Sequence, residues 1–271
     1  MRNRKALIRG VLTCFSVALI VAAAVLLWAA MRESSSARQE IDFDSELSEL
    51  AVQVISTPVE QASELPELES LASAADAYPG TLSIDWDALL ERNSATVGWI
   101  HQEGTDISYP VVQGQDNQYW LNRRFDGEDG TKSGTIFVDA RCDMLGHDLI
   151  LYGHNMDRNY QLKFSSLALY FSDPEYLSQH PTFEFYNAKT GTCTLYRVFS
   201  CIKANVAIEE DTEEIYQLVP DEMLEEYALY LQSRSCVDAP VEIWEPTDVM
   251  VLSTCIPRTG TGRYIVCGIA Q

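Results

Sequence analysis

Val249-Met250-Val251-Leu252-Ser253-Thr254-Cys255 is an apolar run that stops on a thiol, and after the loop Ile256–Gly262 the chain resumes as Arg263-Tyr264-Ile265-Val266. Both runs are rich in β-branched and aromatic residues, and Pro257, Gly260 and Gly262 punctuate the gap, so they read as two strands either side of a short loop. Working back along the chain, residues 97–101, 107–112, 134–139, 148–154, 182–187 and 192–203 have the same character. With 249–255 and 263–269 they make eight strands, which predicts a mostly β fold, either a sandwich or a closed barrel.

Helical periodicity is confined to the connections. Ser83 is placed to cap a short amphipathic helix over Ile84–Leu90. A turn of helix is expected at 116–121, and one or two turns at 161–179, broken at Pro174. The longest pattern covers 220–235, with Pro220 at the first helical position and Met223, Leu224, Tyr227 and Leu231 on one face. It lies in a connection of about 45 residues between strands, a length that usually carries function.

Charge divides the chain in three. Across 271 residues the net charge is -21, which argues against nucleic acid as a partner. Residues 1–32 carry five basic residues and no acidic one. Val11–Ala30 is uncharged, and twenty residues suffice to cross a hydrocarbon core of about 30 Å. Arg2, Arg4, Lys5 and Arg9 precede the run, so the expectation is a single-pass cell-membrane anchor with a cytoplasmic N-terminus and the bulk of the chain outside. A cleaved signal peptide is the rival, but its apolar core is usually shorter, about 7–15 residues. Residues 33–79 hold eleven acidic residues and one basic, and 33–80 read as an extended acidic stalk. Residues 81–271 remain as the functional domain.

Seven cysteines are scattered without a CxxC, and no histidine spacing suits a metal, so neither a metal nor another cofactor is expected. Cys193, Cys201 and Cys267 read as small buried hydrophobes, and a pairing of Cys142 with Cys236 stays open. His101, His147 and His180 read as solvated. Cys255 differs because it ends a strand and enters a loop, where a thiol is both held and reachable. A thiol nucleophile needs a base, and His154 ends the strand pattern Leu151-Tyr152-Gly153-His154-Asn155. Acyl transfer also needs a donor for the developing oxyanion. Arg258 and Arg263 both follow Cys255, and Arg263 is favoured because a strand holds it more firmly than a turn.

Leu252-Ser253-Thr254-Cys255 with Arg263-Tyr264-Ile265-Val266 resembles the Cys–Arg signature of sortases, and Leu151-Tyr152-Gly153-His154-Asn155 resembles their histidine signature. Tyr109-Pro110-Val111-Val112-Gln113-Gly114 and Gly134-Thr135-Ile136-Phe137-Val138-Asp139 are similar to sortase core strands. The likeness spans about 84–269 in order. The helix before the first strand and the helix-bearing insertion before the seventh make class B the most similar. Ile256, where class B members often carry an acidic residue, departs from that pattern. A pilus-building class C enzyme is less similar, since 33–80 show no Asp-Pro-aromatic lid.

The resemblance implies an eight-stranded sortase-type β-barrel and a membrane-anchored cysteine transpeptidase of Gram-positive bacteria. Cys255, His154 and Arg263 would be catalytic, and Asn117, Leu121, Tyr152, Ser253 and Thr254 would meet the substrate. The partners implied are secreted proteins bearing a C-terminal sorting motif, cut after Thr, and an amine acceptor on a peptidoglycan precursor or a pilin. Two other readings of the same residues stand beside it: a cysteine peptidase using Cys255 and His154, and a catalytically idle, cell-wall-binding barrel.

Overall fold

The structure, a computed structural model, describes residues 2–54, 78–156 and 162–270. The chain divides into two compact units, Met1–Glu46 and Leu47–Gln271. The first is made of helix α1 (Arg2–Ala51), whose last turn belongs to the second unit. The apolar run 11–30 lies within α1; among the described residues, no helix is long and apolar enough to cross a membrane. Residues 33–51 are helical rather than extended, as their Glu, Leu, Ala and Gln content favours once the helix is started. Residues 55–77 lie outside the described residues.

The second unit is built on a closed barrel. Its strands are β3 (Thr96–His101), β4 (Ser108–Gln113), β5 (Ile136–Val138), β6 (Asp148–Tyr152), β7 (Thr182–Asn187), β8 (Thr192–Asn205), β9 (Val249–Cys255) and β10 (Gly262–Ala270). The order round the barrel is β10-β8-β7-β3-β4-β5-β6-β9. All eight strands expected from the sequence are present, to within a few residues at their ends. β9 is buried from Val249 to Thr254, as an uninterrupted apolar run requires of a strand covered on both faces. Ile100, Val111, Ile136, Leu151, Phe199, Leu252 and Val266 meet in the core.

Two neighbouring pairs in the barrel are parallel, β4 with β5 and β6 with β9. A parallel pair cannot be closed by a tight turn, so each needs a long crossover. These crossovers build the site. The β4–β5 connection carries Asn117 and a 3₁₀ turn over Tyr119–Asn122. The β6–β7 connection carries a 3₁₀ stretch over Ser165–Phe171 and the short α3 (Tyr176–Gln179), the turns expected either side of Pro174. The β8–β9 connection carries α4 (Glu209–Ile215), a 3₁₀ turn (Asp221–Met223) and α5 (Leu224–Ser233).

Several local expectations are corrected. The first short helix of this unit, α2, spans Trp86–Arg92 and is capped by Asp85, whose carboxylate accepts from Ala88 N–H at 3.0 Å. Ser83 instead lies in β2 (Leu82–Ile84), which pairs with β1 (Val52–Val54), an antiparallel contact that no local pattern announces. Pro220 precedes a 3₁₀ turn, and the regular helix begins at Leu224. α4 has too little apolar periodicity to stand out in the sequence; Glu209, Glu210 and Asp211 favour its first turn. Cys142 and Cys236 are both free: the Cys142 sulfur accepts from Ile150 N–H, and Cys236 lies against the Cys201 carbonyl. Cys201 and Cys267 are fully buried, whereas Cys193 is only partly so. His101 is not solvated but partly buried, and desolvation pulls its pKa down.

Candidate active site

Strand register places the candidate catalytic residues. In the β9–β10 ladder Arg263 stands directly opposite Cys255. β6 runs parallel to β9 with Tyr152 opposite Ser253, so His154 follows two residues beyond that pair, as Cys255 does. The junction is tied by three hydrogen bonds. Gly153 N–H donates to the Ser253 carbonyl at 3.1 Å. Thr254 Oγ1 donates to the Gly153 carbonyl at 2.7 Å, and Asn155 Nδ2 to the Cys255 carbonyl at 3.1 Å. Gly153 is required here by space: a Cβ would sit 2.6 Å from the ring of the fully buried Phe164.

Cys255, His154 and Arg263 open together into one groove of about 790 Å³. Phe137, Tyr152 and Ser253 line it on the barrel side, and the β8–β9 insertion contributes residues from Thr212 to Leu218. Cys255 and Arg263 are half-buried. His154 Nε2 lies 2.8 Å from the Leu121 carbonyl. A carbonyl only accepts, so Nε2 carries the proton. Arg263 Nη1 donates to Gly262 O at 2.9 Å, bracing the guanidinium against its own strand. Arg258, by contrast, is exposed in a turn with φ 69°.

All eight site residues read from the sequence line this groove. Of the five expected to meet the substrate, four have side-chain polar atoms bonded within the protein: Asn117 Nδ2 donates to Asp139 at 2.8 Å while its Oδ1 accepts from Ala140 N–H at 2.8 Å, and Tyr152, Ser253 and Thr254 are likewise engaged. Ser253 and Thr254 are buried, and the Ser253 hydroxyl bonds to the Tyr216 hydroxyl at 2.8 Å. Tyr152 donates to Asp139 at 2.9 Å. Burial pushes the Tyr216 hydroxyl up to about 12 and raises Tyr152 as well, so both stay neutral at ordinary pH. Burial likewise pushes Cys142, Cys193 and Cys201 up to about 12, which keeps them as thiols. Sequence reasoning missed Asp139, Arg141 and Tyr216. The only local signal was an Asp ending an apolar strand with an Arg two residues on.

No protein-family model matches the chain. Over 175 residues it is 34% identical to Sortase B of Staphylococcus aureus, covering 63% of this chain and 67% of that protein. Over 185 residues it is 30% identical to Sortase B of Listeria monocytogenes, covering 66% and 71%. The chain belongs to the class B sortases. This sortase superposes on the X-ray structure of Clostridium perfringens sortase B with TM-score 0.60 and 25% identity, over 69% of this chain and all of that one. It matches the Staphylococcus aureus sortase B–substrate complex with TM-score 0.59 and 27% identity, over 69% and 84%. The sortase barrel and the cysteine transpeptidase class expected from the sequence are therefore those found. The helix-bearing insertion stands before β9, the seventh barrel strand, as the resemblance implied.

Proposed function

We propose that this sortase is a membrane-anchored transpeptidase that cuts a C-terminal sorting motif after Thr and passes the acyl group to a cell-wall or pilin amine. The observation that carries the reading is the cross-strand pair Cys255 and Arg263, with His154 at the end of the adjoining parallel strand and all three in one groove. In this reading the Cys255 thiolate attacks the Thr carbonyl carbon. Arg263 stabilises the oxyanion, and the C–N bond breaks as His154 gives a proton to the leaving amine. The thioester is then attacked by the acceptor amine, which yields its proton to His154 and releases Cys255. In this reading the seated peptide and the groove walls limit water at the thioester, which favours aminolysis over hydrolysis. Staphylococcus aureus sortase B has been solved with a substrate, and a sortase B has been solved with triglycine. These complexes support a peptide donor and a glycyl amine as first probes.

The test uses the whole chain in detergent with fluorogenic peptides varied at the four positions before Thr-Asn or Thr-Gly, with and without triglycine. A ligated product that depends on triglycine and vanishes in Cys255→Ala is expected. Hydrolysis unaffected by triglycine, or activity retained in Cys255→Ala, overturns the reading. The anchor rests on the uncharged 11–30 run and the four basic residues before it. The chain is expected to stay with membranes after carbonate extraction; release into the wash overturns that part.

A further inference from the structure

Asp139 follows β5 and is completely buried under the groove. Five hydrogen bonds converge on its carboxylate. Arg141 supplies three: its backbone N–H and Nε to Oδ1, both at 2.9 Å, and Nη2 to Oδ2 at 2.9 Å. Asn117 Nδ2 and Tyr152 Oη add bonds to Oδ2 at 2.8 and 2.9 Å. Burial would push the carboxyl up, but the guanidinium and the hydroxyl outweigh it and hold Asp139 below the ordinary carboxylate range. The carboxylate is therefore ionised at neutral pH, with five donors converging on it.

Arg141 is the outward end of this unit. Over half of its side chain is exposed, and it lines the groove. Nη2 also donates to the Tyr216 carbonyl at 2.9 Å, which ties the β5 end to the insertion wall. None of these bonds uses Nη1. An unpaired arginine in a peptide groove selects carboxylates, since its charge and planar fork match them. Here a buried carboxylate already fills the fork and cancels the charge. What remains is a neutral unit with an N–H donor at its edge.

We propose that Asp139 and Arg141 form a charge-cancelled recognition unit. Arg141 Nη1 donates to a neutral acceptor, a carboxamide or main-chain carbonyl, in the peptide segment preceding the scissile Thr. Asp139 is the positioning residue that makes the unit reject carboxylates. Asn117 and Tyr152, aimed by the same carboxylate, complete the rigid face. This deepens the sorting-motif reading and rests on it.

The experiment compares matched peptides carrying Asn or Asp, and Gln or Glu, at each of the four positions before Thr. Turnover is measured on the whole chain, and binding by fluorescence anisotropy on the Cys255→Ala chain. At one position or more, the unmodified site is expected to favour the amide by about tenfold, the scale of one partly screened charge interaction. Asp139→Asn removes the negative charge, so the preference at that position falls at least tenfold toward the acid, in KM rather than kcat. Arg141→Met abolishes the discrimination, and Arg141→Lys, which keeps charge without the fork, does not restore it. A structural role alone lowers stability or activity for every peptide equally and moves no preference. An unchanged amide-to-acid ratio in both Asp139→Asn and Arg141→Met overturns the proposal. If Asp139→Asn does not fold, the half-exposed Arg141 variants decide alone. Turnover with no shift in preference sinks this unit and leaves the transpeptidase reading intact. Selective binding without turnover does the reverse, and peptides neither bound nor cut sink both.

Discussion

Cys255 and Arg263 are directly opposed Cα partners in the antiparallel ladder of β9 and β10. A ladder pair fixes both backbones, so the two side chains leave from opposed strand positions into the same groove rather than from a turn. An oxyanion donor is effective only when held before the charge develops. Arg263→Ala is therefore expected to lower kcat for peptide cleavage by about 10²–10³-fold, the usual scale for losing one such donor. Arg258→Ala, on the exposed turn, should change kcat less than about threefold. Loss confined to Arg258→Ala would reverse the assignment.

Gly153 sits between the groove residue Tyr152 and the candidate acid His154, against the Phe164 ring. Gly153→Ala forces the two apart, an overpacking cost of about 1–3 kcal/mol. Thermal melts should show that loss, and peptide turnover should fall with it because His154 moves. Trimming the ring in Gly153→Ala/Phe164→Leu should restore part of both. A single variant as stable and active as the parent would show that the ring yields freely.

The Tyr216 and Ser253 hydroxyls bond to each other at 2.8 Å in a buried setting. Removing either partner leaves the other buried without it, which costs about 1–3 kcal/mol. Tyr216→Phe and Ser253→Ala should each lower stability in urea melts. The double variant should lose clearly less than the two losses combined. Strict additivity would mean that the hydroxyls act independently.

Arg234 reaches from the end of α5 to Asp211 on α4 at 2.6 Å, steadying the helix that forms the groove wall. The Arg234 bond, aided by the Asn205 N–H, holds Asp211 below its ordinary value of 3.8. A depressed carboxyl contributes stability that is complete above its unfolded pKa and fades as pH falls through the folded one. Arg234→Met should thus lower stability by about 1 kcal/mol at pH 7, discounted for partial exposure. The gap between variant and parent in denaturant should narrow below about pH 4. A gap that stays constant down to pH 2.5 would show that the bond adds no such term.

Much of the candidate catalytic frame was legible because Cys255 and His154 stand at or just past strands whose apolar runs are continuous. Val249–Thr254 could only be a buried strand, so Cys255 had to emerge at its end. The β1–β2 pair was not legible: two three-residue strands lie far apart in sequence, and neither has a pattern of its own. The cap of α2 was misplaced because Ser83 and Asp85 are both good cap residues, and the pairing of β2 with β1 decides between them. α4 was hidden because its residues are mostly acidic.

By itself, the sequence determined eight strands, the helix-bearing connection before the seventh, and a thiol, an imidazole and a guanidinium at strand ends. These follow from local alternation and from residue chemistry. Only the tertiary structure decided that Arg263 faces Cys255, and that the Ser253 and Thr254 hydroxyls are spent inside the protein. It also decided that Asp139 gathers Asn117, Arg141 and Tyr152 under the groove. Those relations join residues between two and about a hundred positions apart through the antiparallel and parallel pairings that close the barrel and the connections between them. A local pattern carries no information about which lone pair a distant donor will meet.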